Sequence, residues 1–260
     1  MLILLNFFEN SFKRITRSLT LLVILVVSGF LTPQNQIKVF LAGDSTMANK
    51  LTSAYPETGW GMPFSYFFNE SVKVDNRAVN GRSTRTFIEE GRWKAIKDSL
   101  RQGDYVLIQF GHNDEVKTKQ SYIDEPGFQA NLTQFVLDAK AKKANPILIT
   151  PVARRSFDDM GKVKETHAVY SELVRQVAKD QHVPLIDLDR RSQELLQNFG
   201  MENSKLLFLH LSPGEHPNYP EGREDNTHFN ELGARKMAEL VLADLKSLNV
   251  ELSARIVKRR

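Results

Sequence analysis

A serine, a histidine and a carboxylate, the three residue types that together perform nucleophilic acyl transfer, occur in this sequence in settings that suit the chemistry. Ser45 lies in Gly43-Asp44-Ser45-Thr46, directly behind an apolar run. A hydroxyl at a strand-to-helix turn stands where backbone N–H groups point outward, as a nucleophile with an oxyanion hole requires. Such a serine needs a base, and the base needs an orienting carboxylate. Asp225-Asn226-Thr227-His228 supplies both, just ahead of the last helical pattern. A carboxylate three residues before an imidazole on a turn can accept from one ring nitrogen, leaving the other to face Ser45. Two further clusters, Asn80-Gly81-Arg82-Ser83-Thr84 and Gly111-His112-Asn113-Asp114, also follow strand-like runs. They offer the Gly81 N–H and the Asn113 side-chain amide which, with the Ser45 N–H, make three donors for an oxyanion. Each cluster alone is ordinary, because Gly ends strands and Ser, Thr and Asn cap helices. Three in succession at strand ends point to one site.

These residues need a frame that brings them together. Residues 37–41, 71–79, 105–110, 146–151 and 183–188 read as strands by length and β-branched content. Helical patterns fall near 63–69, 86–100, 127–143, 165–179 and 231–248. Alternation of this kind predicts a parallel sheet covered on both faces, with ligands bound outside the carboxyl ends of the strands. The aromatics Phe64, Tyr66, Phe67 and Phe68 read as helix core. The stretch 198–226, rich in Pro, Gly, His and Asn, is too long for a plain connection and reads as a functional loop.

Composition narrows the alternatives. A chain of 260 residues with 41% hydrophobic content can bury a full core, and the absence of Cys removes disulfides, thiolate metal sites and cysteine nucleophiles. The net charge of +4 sits largely at the ends, in Lys13, Arg14 and Arg17 and in Arg255, Lys258, Arg259 and Arg260, so it argues against a nucleic-acid surface. His210 and His216 could join Asp225 and His228 around zinc, but their spacing matches no ligand pattern and the serine chemistry already uses the latter two. No metal and no cofactor is expected. Walker, dinucleotide-binding, H-E-x-x-H and G-x-S-x-G motifs are absent.

Residues 1–32 are set apart from the body at 33–260. A basic flank precedes about a dozen apolar residues, the signature of a signal peptide, or of a signal anchor if uncleaved. The expected location is periplasmic or secreted in a bacterium, with membrane attachment only if the leader is retained. The sequence leaves the oligomeric state open.

Gly43-Asp44-Ser45, Asn76-x-Ala78-x-x-Gly81, Gly111-x-Asn113-Asp114 and Asp225-x-x-His228 resemble, in order, the four blocks of the SGNH (GDSL) hydrolases. The strings GDSTM at 43–47, GRSTRTF at 81–87, EGRWKAI at 90–96, GDYVLIQFGHND at 103–114 and DNTHF at 225–229 are similar to the rhamnogalacturonan acetylesterase branch, which deacetylates galacturonate residues of pectin. The resemblance implies Ser45 as nucleophile, Gly81 and Asn113 as oxyanion donors, His228 as base and Asp225 as its orienter. It also implies a flavodoxin-like three-layer α/β/α sandwich on a five-stranded parallel sheet. The substrate would be an acetylated polysaccharide, most readily rhamnogalacturonan. The alternatives are another acetylated glycan such as xylan, a lipase- or thioesterase-like hydrolase, and a silent glycan-binding envelope protein. Arg82, Arg85, Arg154 and Arg223 could pair with a uronate carboxylate, His112 could face substrate, and Trp60 and Tyr219 could stack on sugar rings.

Overall fold

The computed structural model describes residues 36–257, so the leader expected at 1–32 lies outside the described residues. Five parallel strands form the centre: β1 (Ile37–Gly43), β2 (Val72–Asn76), β3 (Tyr105–Gln109), β4 (Asn145–Ile149) and β5 (Leu185–Ile186). Their spatial order is β2-β1-β3-β4-β5, the flavodoxin-like arrangement. Alternate strand residues point to opposite faces. Val39 and Leu41 of β1 enter one core, Phe40 and Ala42 the other, and all four are fully buried. Burial on both faces is why these strands read as unbroken apolar runs.

Among the described residues seven helices flank the sheet: α1 (Gly61–Phe64), α2 (Thr84–Glu89), α3 (Arg92–Ser99), α4 (Glu125–Ala141), α5 (Ala168–Asp180), α6 (Leu188–Asn203) and α7 (Glu231–Ser247). Phe87, Trp93, Phe128 and Val174 carry α2–α5 onto the Phe40 face, and Phe64, Leu196 and Met237 carry α1, α6 and α7 onto the Val39 face. Each such side chain contributes about 1.5–3 kcal/mol by leaving water. The result is the expected three-layer sandwich.

Several elements differ from the sequence reading. The pattern over 86–100 is two helices, parted at Gly91, whose φ of 68° is a left-handed conformation that glycine adopts without penalty. β5 shrinks to two residues, because Pro184 has no N–H for the ladder and Asp187 already caps α6. Helix α6 itself was not anticipated. Tyr66, read as core, is 84% exposed beside the buried Phe64 and Phe68. The largest correction concerns 198–226. Instead of a long loop it holds the end of α6, a 3-10 turn at Ser204–Leu207, and a second, two-stranded sheet of antiparallel β6 (Phe208–Leu211) and β7 (Arg223–Phe229). Only residues 212–222 remain as its connecting loop.

Candidate active site

β2 and β3 flank β1 on opposite sides, so the chain reverses its direction of travel across the sheet at β1, and the crevice beyond its carboxyl end is the natural ligand site. The turn leaving β1 is tightly built. A Cβ on Gly43 would lie 2.8 Å from the Gln109 carbonyl oxygen and 2.9 Å from Met47 Sδ. Asp44, fully buried, accepts from the Thr46 N–H at 3.0 Å and from its hydroxyl at 2.8 Å. Burial raises the Asp44 pKa, against those two hydrogen bonds. Gln109 Nε2 donates to Thr46 Oγ1 at 3.0 Å, and Trp60 Nε1 donates to Gln109 Oε1 at 2.6 Å. This buried polar chain fixes the turn that presents Ser45. It also places Trp60 inside the core at 0% exposure, where no sugar can reach it.

Asp225 and His228 come from β7 rather than from a simple turn before the last helix. Phe208 pairs with Phe229 and Leu209 with Asp225, so one step along β6 answers four along β7. Asn226, Thr227 and His228 therefore loop out as a wide bulge, a device that re-aims side chains. Asp225 Oδ1 accepts from the backbone N–H of Thr227 at 2.8 Å and of His228 at 2.9 Å, holding the bulge closed. Its Oδ2 lies 2.8 Å from His228 Nδ1, and His228 Nε2 lies 2.9 Å from Ser45 Oγ. Burial pushes the Asp225 carboxyl up, but the ring and backbone hydrogen bonds outweigh it and hold the group well below the ordinary carboxylate range. The ionised carboxylate accepts, so Nδ1 carries the proton and Nε2 turns its lone pair to the serine hydroxyl.

The segment after β4 supports this bulge. The Arg155 N–H donates to the Asn226 carbonyl at 2.8 Å, and Arg154 Nη1 donates to Thr227 Oγ1 at 3.1 Å. Arg154 also meets Glu115 at 3.4 Å and the His112 carbonyl at 3.3 Å. It is a brace, not the free cation expected for substrate. Nothing in the sequence pattern singled out Arg155.

Gly81 has a φ of 76°. Among the described residues, neither its N–H nor that of Ser45 has an acceptor within the protein. Asn113 Nδ2 donates one hydrogen to the Arg82 carbonyl at 3.1 Å, which leaves its second N–H. Asp114 ties the two loops together, accepting from the Thr84 N–H and hydroxyl, both at 2.7 Å, and from the Gly111 N–H at 3.0 Å. Burial raises its pKa to about 7 in spite of these donors.

The remaining candidates are placed less favourably. Arg82 pairs with Glu90 at 3.0 Å, while Arg85 pairs with Glu89 at 3.3 Å and reaches the Gln120 carbonyl, so both already have partners. Arg223 is half-exposed and touches Asp225 Oδ2 at 3.3 Å. His112 is buried with its ring 4.2 Å from that of His167, and burial lowers its pKa well below the ordinary value. It packs rather than facing substrate. Tyr219 donates to the Ala54 carbonyl at 2.8 Å, and the His216 ring lies against it and Tyr55. His210 reaches Asn226 Oδ1 at 2.9 Å. Among the described residues, no group of three or more His, Asp or Glu side chains converges as metal ligands would.

Comparison with known proteins adds an independent line. The profile of the GDSL-like Lipase/Acylhydrolase family matches residues 41–236. The rhamnogalacturonan acetylesterase RhgT of Bacillus subtilis (strain 168) is 44% identical over 223 residues, covering 86% of this chain and 95% of the relative. The probable rhamnogalacturonan acetylesterase YesY of the same organism is 36% identical, covering 85% of this chain and 98% of the relative. The crystal structure of Bacillus subtilis protein YxiM superposes with a TM-score of 0.73 at 26% identity; the match covers 84% of this chain and 58% of that one. The chain belongs to the GDSL-like lipase/acylhydrolase family and is a carboxylic ester hydrolase.

Proposed function

We propose that the chain removes O-acetyl groups from acetylated rhamnogalacturonan through an acetyl-serine intermediate, and that its leader exports it to meet that polymer. The observation that carries the mechanism is the unbroken contact chain from Asp225 Oδ2 through the His228 ring to Ser45 Oγ, at 2.8 and 2.9 Å. Ser45 Oγ attacks the acetyl carbonyl while His228 Nε2 takes its proton. Asp225 holds the imidazole in the productive tautomer and stabilises the imidazolium. The N–H groups of Ser45 and Gly81 and the spare Asn113 amide hydrogen face the oxyanion, each donor supplying about 3–4 kcal/mol in the transition state. Collapse breaks the bond to the sugar oxygen, which leaves with the proton from His228. Water then attacks the acetyl-serine by the same steps, releasing acetate.

The relatives RhgT and YesY support the choice of polymer. The test measures acetate released from acetylated rhamnogalacturonan and acetylated xylan by wild type and by Ser45→Ala. Wild type should act on the first polymer with the higher kcat/KM. Ser45→Ala should fold normally and lose nearly all activity on both. A preference for xylan would overturn the substrate, and a variant keeping a tenth of wild-type activity would overturn the mechanism.

A further inference from the structure

Next to the catalytic bulge, the hairpin and the segment after β4 enclose a cleft of about 420 Å³. Its walls carry Arg155, Lys205, Arg223 and His210 against a single acid, Glu224. The Arg155 guanidinium donates to Ser204 Oγ and Asn226 Oδ1, both at 3.0 Å, and to the Met201 carbonyl, all neutral acceptors. Among the described residues no carboxylate lies within ion-pair distance of it. A half-buried cation whose acceptors are all neutral leaves an electrostatic demand that an incoming anion can meet. Arg223 adds an exposed guanidinium, whose one acidic contact, Asp225, is already engaged by His228. Lys205 adds a third cation, paired with the exposed Glu202 at 2.7 Å.

A second cleft, of about 660 Å³, has the opposite character: Glu115, Asp124, Glu125 and Glu165 line it against Lys117, and Arg154 pairs with its Glu115. Consecutive residues 154 and 155 thus reach one acidic and one basic cleft. An anionic sugar is repelled by the first and drawn to the second, so the pair discriminates by repulsion as well as by attraction.

We propose that the hairpin cleft is an anion subsite for the carboxylate of a uronate sugar, and that it sets which way an acetylated chain lies across Ser45. The proposal rests on the polysaccharide reading above and adds where the charged sugar goes. A guanidinium fork matches a carboxylate bidentately, and three cations around one concavity focus the field on it.

The test separates the subsite from the substrate. Trigalacturonate and its carboxyl-reduced, neutral counterpart are compared as inhibitors of aryl-acetate hydrolysis. The charged trimer should inhibit with a Ki about tenfold lower, an advantage that salt erodes. Lys205→Glu should shrink the ratio of the two Ki values, and Arg223→Gln, judged by the same ratio, serves if the first variant does not fold. The ratio cancels any loss of catalysis common to both inhibitors. Equal Ki values in wild type, or a ratio unmoved in the variant, would overturn the subsite. Preferred inhibition by the charged trimer with no acetate released from rhamnogalacturonan would keep the subsite and refute the substrate. Hydrolysis of that polymer with equal Ki values would do the reverse.

Discussion

Replacing Asp225 by Asn removes a charge from the proposed triad with almost no change of shape. Oδ1 of Asp225 accepts from the backbone N–H groups of Thr227 and His228, so the amide oxygen of the new side chain must occupy that position. A flipped amide would set its NH2 against both donors, at a cost of about 1–3 kcal/mol for each buried group left unsatisfied. The amide nitrogen therefore faces His228 Nδ1, where the carboxylate oxygen sits at 2.8 Å in the wild type. Two donors cannot share that contact. The imidazole shifts its proton to Nε2 and presents an N–H to Ser45 Oγ where a lone pair is needed. Losing the base and the counter-charge of the imidazolium together should lower kcat by about 10⁴-fold, as the equivalent change does in Ser-His-Asp enzymes, or about 5.5 kcal/mol in the barrier. The assay is the saturating rate on an aryl acetate, with KM and the thermal midpoint measured beside it. KM for the aryl acetate should stay near wild type: Arg223, which touches Asp225, has no carboxylate to meet on that substrate. A folded Asp225→Asn protein with kcat within about tenfold of wild type would refute the tautomer argument and the triad with it.

Asp114 gives a pH signature in stability. Its pKa in the folded protein is raised to about 7. Between the free carboxylate value of about 4 and that point, the folded protein keeps a proton that the unfolded chain releases, so the contribution of this group to stability falls as pH rises. The advantage of wild type over Asp114→Asn in thermal unfolding should therefore shrink between about pH 4 and about pH 7, and an advantage that grew would contradict the assignment. Gly43→Ala would push a methyl group to within 2.8 Å of the Gln109 carbonyl oxygen. It should cost about 1–3 kcal/mol in denaturant unfolding and lower kcat by displacing the Ser45 turn; unchanged values of both would refute the packing argument. Activity should survive a chelator, and a reversible loss on chelation would bring the zinc reading back.

The parts of the fold that the sequence makes legible are those whose pattern has a single cause. β1 and β3 are buried on both faces, so their apolar runs are unbroken and the polar clusters that follow them are easily placed at strand ends. β7 is the opposite case. Its residues Arg223–Phe229 show no apolar alternation, and their pairing is held by Phe229 against the Phe208 ring at 5.2 Å and by the Thr58 N–H donating to the Phe229 carbonyl. Contacts from distant sequence decide such a strand, and propensity does not reveal them. The site follows the same rule. Ser45, Asp225 and His228 stand out by type and spacing. The Arg155 backbone that steadies the bulge has no sequence signature, since any residue but proline could supply that N–H. Glu89, four residues past Arg85, is a helix-face partner that spacing does show. Glu90, eight residues past Arg82 at the opposite end of the short α2, is a partner that spacing does not show.

The separation of the two sheets bears on how the enzyme comes into being. Ser45 leaves the parallel sheet and His228 leaves the hairpin, 183 residues later in the chain. The five-stranded sheet needs nothing from β6 or β7 to complete its own ladder. A folding intermediate with that sheet closed and the hairpin still open would hold the nucleophile on its finished turn, with no group to take its proton. Such a species would bury Trp93, whose core holds no hairpin residue, while Trp60 shares its core with Phe208 and Phe229 and would wait for the hairpin; the Trp93 signal would return while the protein remained inert. During refolding the return of esterase activity should then lag behind the return of tryptophan burial. On gentle heating the order should reverse, with catalysis lost to opening of the hairpin before the core around Trp93 melts.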